Sequence, residues 1–384
     1  MTQGQSFQHV AAELRLYCSA DSLTALAKEL KRGNCRRAVV VSGRSVARSP
    51  AMDALRTALG PVLAGESQSV QPNSPVPAVE EVARVLADKQ ADAVIAIGGG
   101  SAAVTARAAA ILLAERKPAR ELCTRRLDNG QFDSPCLDAP KLPQFVIPTT
   151  PSTAFVKAGS AVHDAESGQR LALFDPKTRA RAIFLHPDFL GTAPAELVRE
   201  ATLNTLSTAV EALESPKCDP VSEAMLMHAL RLVARNLERM GPEDIQAREY
   251  LAIAAVLCGR GTDQAGGGLS SVLAHAIGHR AHVSNGIVNA IVLPHTMRFN
   301  SPATEHTTAR ISDSLQRAPT GTAPDVLEAL LARLPIAHRL RDIGIAEADL
   351  DAIAQAAMGD FFISRAPRKV QGASDLRGIL AAAW

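Results

Sequence analysis

Aromatic side chains make up only 3% of the 384 residues. That is too few for base-stacking platforms or for the ring-lined clefts that hold sugars. Charge of one sign is also missing: Lys+Arg 41 against Asp+Glu 39 leaves a net +2. So balanced a chain offers no basic field for nucleic acid or an anionic membrane surface. No apolar run is long enough to cross a bilayer, the most apolar helical stretch being Ala108–Ala114. The first residues, MTQGQSFQHVAAELRLYCSA, have neither a basic start nor an uninterrupted apolar core, so no secretory leader is expected. The six cysteines (Cys18, Cys35, Cys123, Cys136, Cys218, Cys258) form no C-x-x-C pair. They read as isolated thiols, not as a disulfide framework or a zinc site. Together these absences predict a soluble, cytoplasmic protein with a small-molecule partner, no nucleic acid and no membrane. No internal repeat or low-complexity tract is present.

What the chain does have is 47% hydrophobic residues, rich in alanine and leucine, at a length that suits two domains. In its first half, short apolar runs alternate with helical patterns. Helices are predicted at 22–32, near Pro50–Leu59, at Val76–Lys89 and at 101–115. Strands are predicted at Arg37–Ser42, Ala93–Ile97, Gln144–Ile147, Ser160–His163, Leu171–Phe174 and Ala182–Leu185. That alternation implies a mostly parallel sheet covered on both faces. Arg120–Pro143 has prolines, charges and no period, and reads as a surface excursion. After His186-Pro187 only helical patterns remain, at about 194–213, 220–239, 243–258, 265–279, 286–299, 303–317, 323–341, 346–357 and 373–382. The expected domains are therefore an α/β domain, 1–190, and an all-helical domain, 191–384. In such enzymes the ligand lies at the C-terminal ends of the strands.

One stretch stands out. In Asp92–Ala114, DAVIAIGGGSAAVTARAAAILLA, an apolar strand breaks at Gly98-Gly99-Gly100-Ser101 and an alanine-rich helix begins. Glycines let backbone approach a ligand closely, and the free N–H groups of a new helix favour an anion. The same pattern also serves a plain tight turn.

Three further motifs accompany it: Ile147-Pro148-Thr149-Thr150 at a strand end, A-H-x-I-G at Ala274–Gly278, and L-P-H-x-M-x-x-N at Leu293–Asn300. In this combination the chain resembles the iron-containing (group III) alcohol dehydrogenase family over nearly its whole length, and within it the maleylacetate reductases. Leu257-Cys258-Gly259 through His275 lies over their equivalent segment without a gap. Asn204 and the missing aspartate of the GGGS helix also match that branch. The resemblance implies a Rossmann-like N-terminal domain that binds NAD(P), an all-α C-terminal domain, hydride transfer between the two, and a homodimer. It places cofactor contacts at Gly98, Gly99, Gly100, Ser101, Thr149, Thr150 and Thr153, although Phe155 replaces a serine and the following glutamate is lost. Gly43 stands where many relatives carry an acid for the ribose hydroxyls. With Arg44 and Arg48 beside it, the position leans towards the 2′-phosphate of NADP over NAD, and the choice stays open. Val104 replaces an aspartate, and Arg107 and Arg170 replace lysines.

The resemblance also implies a divalent metal held by an aspartate and three histidines. Those positions here hold Asn204, Thr208, Ser271 and Asn285. Neutral amides and hydroxyls do not compete with water for Fe²⁺ or Zn²⁺, so no metal is expected and these four residues are assigned to substrate. A relocated site at His275, His279 and His282 (i, i+4, i+7) is disfavoured, because Gly278 is expected to end that helix first. His275 matches the histidine that relatives keep beside the nicotinamide and is the candidate catalytic residue, donating a proton or a hydrogen bond to developing negative charge. Arg260 and Arg280 are candidate carboxylate anchors, and His295 either serves its signature or packs the helix. The expected activity is metal-independent, NAD(P)H-dependent reduction of a C=C or C=O in an unsaturated or oxo carboxylic acid, in aromatic catabolism. The alternatives are a non-redox lyase or decarboxylase, a non-catalytic ligand-binding protein on the same fold, and a cyclase like dehydroquinate synthase, which would need the same missing ligands.

Overall fold

The computed structural model describes residues 6–127, 131–281, 283–315 and 321–384. Two compact units result: Ala12–Pro194, and Ala195–Trp384 joined by the segment before Ala12. In that second unit His9 Nδ1 lies 3.2 Å from Asp219.

The first unit is built on a six-stranded sheet, every strand parallel to its neighbours: β1 (Arg15–Cys18), β2 (Ala38–Ser42), β3 (Leu63–Ser67), β4 (Ala93–Gly98), β5 (Gln144–Pro148) and β6 (Ala180–Leu185). The spatial order is β1-β6-β5-β4-β2-β3. β2, β4 and β5 are buried along their whole length, as a sheet covered on both faces requires. Helices α1 (Ser22–Arg32), α2 (Arg44–Ala47), α3 (Ala51–Leu59), α4 (Val76–Asp88) and α5 (Gly100–Glu115) connect the strands. Leu26, Leu30, Met52 and Leu55 pack on Val40, Ile95, Phe145 and Phe184 to form one core. From β2 the chain steps outward to β3, then crosses back to β4. The direction of winding therefore reverses between β2 and β4, where a doubly wound sheet opens a crevice beyond the strand ends.

Two expectations for this unit are corrected. Gly159–Asp164 and Gln169–Phe174 are strands, but they form a separate antiparallel hairpin instead of joining the parallel sheet. Their burial alternates, as in a hairpin covered on one face. The segment read as a surface excursion is docked: Leu122, Cys123 and Leu137 are buried. Lys141, with no exposed side-chain surface, pairs with Glu115 at 2.5 Å and Asp175 at 3.0 Å.

The second unit is helical: α6 (Ala195–Glu214), α7 (Pro220–Asn236), α8 (Ile245–Ala265), α9 (Leu269–Ala281), α10 (Asn285–Ser314), α11 (Ala323–Leu331), α12 (Leu350–Ala357) and α13 (Ala373–Ala383). No strand occurs among its described residues. Several starts are capped by side chains. Asp219 accepts from Val221 and Ser222, Asp244 from Ala247, and Ser284 from Ile287. The patterns read at 286–299 and 303–317 fall on one helix that kinks at Thr304 (φ −128°, ψ 16°), just after Pro302. α11 stops at Leu331, well short of 341. α9 continues past Gly278 to Ala281, so Gly278 is no helix stop. His282 lies outside the described residues.

Candidate functional site

The sequence-derived candidates divide between the two units. In the first, the ends of β2, β4 and β5 are brought side by side, with Ser42 in register with Ile97 and Gly98 with Pro148. The Thr149 N–H donates to the Gly98 carbonyl at 3.0 Å, locking the threonine turn onto the glycine turn. Gly98 takes φ +143°, open only to glycine. A Cβ on Gly99 would fall 2.8 Å from Thr150 Oγ1, and one on Gly100 2.7 Å from Ser152 Oγ. The triple glycine is therefore required both by backbone conformation and by contact with the Thr149–Ser152 turn. α5 begins at Gly100, and its opening N–H groups precede any intrahelical acceptor. Thr153 begins the 3-10 turn Thr153–Val156, whose start Ser152 Oγ caps by accepting from the Ala154 N–H. Sequence reasoning missed Ser74. Its hydroxyl donates to the Ser101 carbonyl at 3.2 Å and accepts from Thr105 at 3.0 Å, tying the start of α5 to the loop before α4.

Gly43 closes β2 as the residue before α2, and Arg44 and Arg48 are exposed around it. Neither has an ion-pair partner among the described residues. Arg107 is different. It is wholly buried, donating to the Gly159 and Ala154 carbonyls at 2.6 Å each, and burial pushes its guanidinium down to about 9. It braces the turn after Ser152. Arg170 is exposed on the hairpin, in register with His163. The glycine turn, the threonine hydroxyls and the start of α5, gathered where the winding reverses, fit a dinucleotide.

In the second unit, the four residues that the resemblance sets at metal-ligand positions are uncharged, and three of them make internal hydrogen bonds. Asn204 Oδ1 accepts from Asn289 Nδ2 at 3.0 Å. Asn289 Oδ1 in turn accepts from Ser270 at 3.0 Å, and Ser270 meets Ser207 at 2.9 Å. Thr208 turns its hydroxyl back onto the Asn204 carbonyl at 2.7 Å. Ser271 donates its hydroxyl to Glu211 at 2.6 Å and its N–H at 2.8 Å. Asn285 opens α10, its Oδ1 3.1 Å from where a Cβ on Gly278 would stand. Among the described residues no group of three or more His, Cys, Asp or Glu side chains is placed to hold a metal ion. Glu211, the carboxylate bonded to Ser271, is buried and pushed up by desolvation. The Ser271 hydroxyl and the N–H groups of Ser271, Gly268 and Ser270 hold it. A neutral donor set and a carboxylate already committed to the start of α9 do not fit Fe²⁺ or Zn²⁺.

His275, on α9, has a partner the sequence did not reveal. Its Nδ1 lies 2.8 Å from Asp360 Oδ2, while Asp360 Oδ1 accepts the Phe362 N–H at 2.8 Å. A carboxylate only accepts, so Nδ1 carries the proton and Nε2 is left without a partner among the described residues. The His275 side chain keeps 29% of its surface exposed, enough for Nε2 to meet a ligand. Phe362 packs its ring centroid 6.1 Å from the imidazole. Asp360 lies 85 residues from His275 in the chain, beyond any local motif. Of the candidate anchors, Arg280 pairs with Asp349 at 3.3 Å on the exposed surface, which removes it from that role. Arg260 is half-buried on α8. His295 is half-buried and its imidazole is pushed down by burial, as suits a packing residue. A separate cavity of about 520 Å³ is lined by Arg199, Glu200, Ile287 and His338, among others, and by none of the candidates above.

Sequence models of a known family match both units: "Iron-containing alcohol dehydrogenase" over residues 14–187 and "Fe-containing alcohol dehydrogenase family, C-terminal" over 200–384. Lactaldehyde reductase of Escherichia coli K12 is 28% identical over 377 residues, covering 94% of this chain and 95% of its own. The crystal structure of maleylacetate reductase from Rhizobium sp. strain MTP-10005 is 26% identical, with a TM-score of 0.83 over 99% of both chains. A 1,3-propanediol oxidoreductase structure superposes at TM-score 0.89 over 99% of this chain and 100% of its own, at 23% identity.

Proposed function

We propose, since this chain belongs to the iron-containing alcohol dehydrogenase family, that it is an NAD(P)H-dependent oxidoreductase working without a metal, which reduces an unsaturated or oxo carboxylic acid as the maleylacetate reductases do. The observation that carries the reading is the His275–Asp360 pair standing beside an uncharged donor set. In metal-using relatives a cation would stabilise negative charge developing on the substrate oxygen. Here an imidazole N–H must do so. The nucleotide, when bound, supplies the hydride. The remaining work belongs to the chain. Gly98–Ser101 and the start of α5 hold the pyrophosphate, with Thr149, Thr150 and Thr153 beside them. Gly43, Arg44 and Arg48 take the adenosine end, with room and charge for a 2′-phosphate, and Arg170 stands where relatives carry a lysine near the cofactor. Asp360 holds the His275 ring through Nδ1–H, so that in the doubly protonated imidazolium Nε2–H faces the substrate and delivers the proton that completes the reduction, leaving the neutral Nδ1–H ring to be reprotonated from water. Asn204, Thr208, Ser271 and Asn285 shape the substrate pocket in place of a metal site.

The test is nucleotide binding by fluorescence, followed by NADPH and NADH oxidation at 340 nm with a panel of unsaturated and oxo acids. The expected result is binding of both nucleotides, tighter for NADPH, and turnover of at least one acid. His275→Asn should lower kcat roughly 10²- to 10⁴-fold with nucleotide affinity unchanged. No fluorescence response at millimolar nucleotide would sink the cofactor assignment. Turnover of an acid with no nucleotide oxidised would move the chain to the lyase or decarboxylase reading.

A further inference from the structure

A half-buried cation lies next to the His275–Asp360 pair with no ion-pair partner among the described residues. Arg365 ends the 3-10 turn Phe361–Arg365, which Asp360 caps. Its guanidinium carbon sits 4.7 Å from the Phe361 ring centroid and 5.6 Å from that of Phe362, the same ring that packs on His275. It also closes against the Gly266–Gly267 turn between α8 and α9. A Cβ on Gly266 would overlap the guanidinium, and one on Gly267 would fall 3.1 Å from Ser271 Oγ and 3.2 Å from the Phe362 ring. Among the described residues no carboxylate or carbonyl accepts from Arg365, and burial alone pushes its guanidinium down.

The two fully buried arginines have carbonyl acceptors, although Arg107 Nε is left without one. Arg107 has two carbonyls, and Arg248 has those of Met240 and Gly241. Glu211 cannot serve Arg365, since its oxygens are taken by the start of α9. An unpaired, partly buried charge is costly to keep, and the cost is recovered when an anion arrives.

We propose that Arg365 is the carboxylate anchor of the substrate subsite. Its fork takes one carboxylate bidentately, the two phenylalanine rings hold the fork in place, and His275 on the shared Phe362 ring meets the reacting end of the same molecule. The ligand class is a small unsaturated or oxo acid. That identity rests on the functional reading above, whereas the anion site itself does not.

The experiment is calorimetric titration of the full chain with maleate, without nucleotide, for the parent, Arg365→Met and Arg365→Lys. The expected result is maleate binding by the parent, weakened roughly 10- to 100-fold in Arg365→Met. Arg365→Lys, which keeps the charge but loses the fork, should fall between them, and dimethyl maleate should bind all three alike. NADPH affinity should not change. Arg365→Met should melt no lower than the parent because it removes an unpaired charge. Should it unfold instead, the Arg365→Lys comparison carries the test. Equal maleate affinity in parent and folded variants, or no maleate binding by the parent at millimolar concentration, overturns the anchor. Maleate binding through Arg365 with no acid able to oxidise NADPH leaves the anchor standing and removes the redox reading.

Discussion

Glu214 lies on the buried face of α6, three residues beyond Glu211, and takes a hydrogen bond of 2.8 Å from Asn300 Nδ2. Burial, together with the Glu211 charge and against the Asn300 bond, pushes its carboxyl up from 4.5 to about 8. Below the ordinary value the group is protonated whether the chain is folded or not. Between there and about pH 8 the folded chain keeps a proton that the unfolded chain has lost, so stability falls as pH rises, by up to ~1.4 kcal/mol per pH unit. Above about 8 the fall stops. Glu214→Gln is expected to flatten this dependence and to be more stable than the parent at the alkaline end. Its amide can also donate to Asn300 Oδ1, which is buried without a partner. Thermal melts from mildly acid to mildly alkaline pH check this, and parallel curves for the two proteins would count against it. Asn300 was legible as the last residue of L-P-H-T-M-R-F-N. What it does was not, because Glu214 is 86 residues away.

At the scale of elements, the site depends on how closely α10 crosses α6. A Cβ on Gly286 would overlap the Glu200 carbonyl oxygen and stand 2.7 Å from its carbon. Backbone cannot swing aside as a flexible side chain can. Gly286→Ala is therefore expected to cost about 3 kcal/mol and to pull apart the Asn204–Asn289 bond between the two helices. Gly378 is exposed on α13, and a Cβ there meets nothing within 4 Å. Gly378→Ala should instead gain up to about 1 kcal/mol from helix propensity alone. Urea unfolding of both variants measures the contrast, and similar ΔG values would refute the crossing argument.

Elements with a clean period were readable in the sequence, and β2, β4, β5, α1 and α4 fall within a residue or two of their predicted bounds. β3 was not. Its sequence, LAGES, shows neither alternation nor an apolar run, and the flexible Lys89 side chain lies across Gly65, 2.9 Å from a would-be Cβ. β1 is a four-residue edge strand with alternating exposure, too short to announce itself. The glycine and threonine turns carried their own signal. Asp360 and Glu211 did not, since each acts on a residue 60 or more positions away.

At the scale of the whole molecule, the family match spans both units while the chemistry expected of the second has been replaced in kind. Losing one ligand of four would leave a weakened metal site. By the resemblance, neutral residues stand at all four ligand positions, and three of them, Asn204, Thr208 and Ser271, are engaged within the helical unit at 2.6 to 3.0 Å. Binding Fe²⁺ or Zn²⁺ there would require breaking those bonds for donors too weak to displace water. The chain purified without added metal is therefore expected to hold no stoichiometric iron or zinc by elemental analysis. Prolonged EDTA treatment should leave its melting temperature and NADPH oxidation unchanged. Added Zn²⁺ should not raise the melting temperature, whereas a ligand that binds the folded state at a hundred times its Kd adds about 2.7 kcal/mol. NADPH supplies the positive control, since its binding should raise the melting temperature by that linkage in the same assay. Bound metal at one per chain, with activity lost to EDTA and restored by Zn²⁺, would require His275, His279 or His282 to form a site of their own.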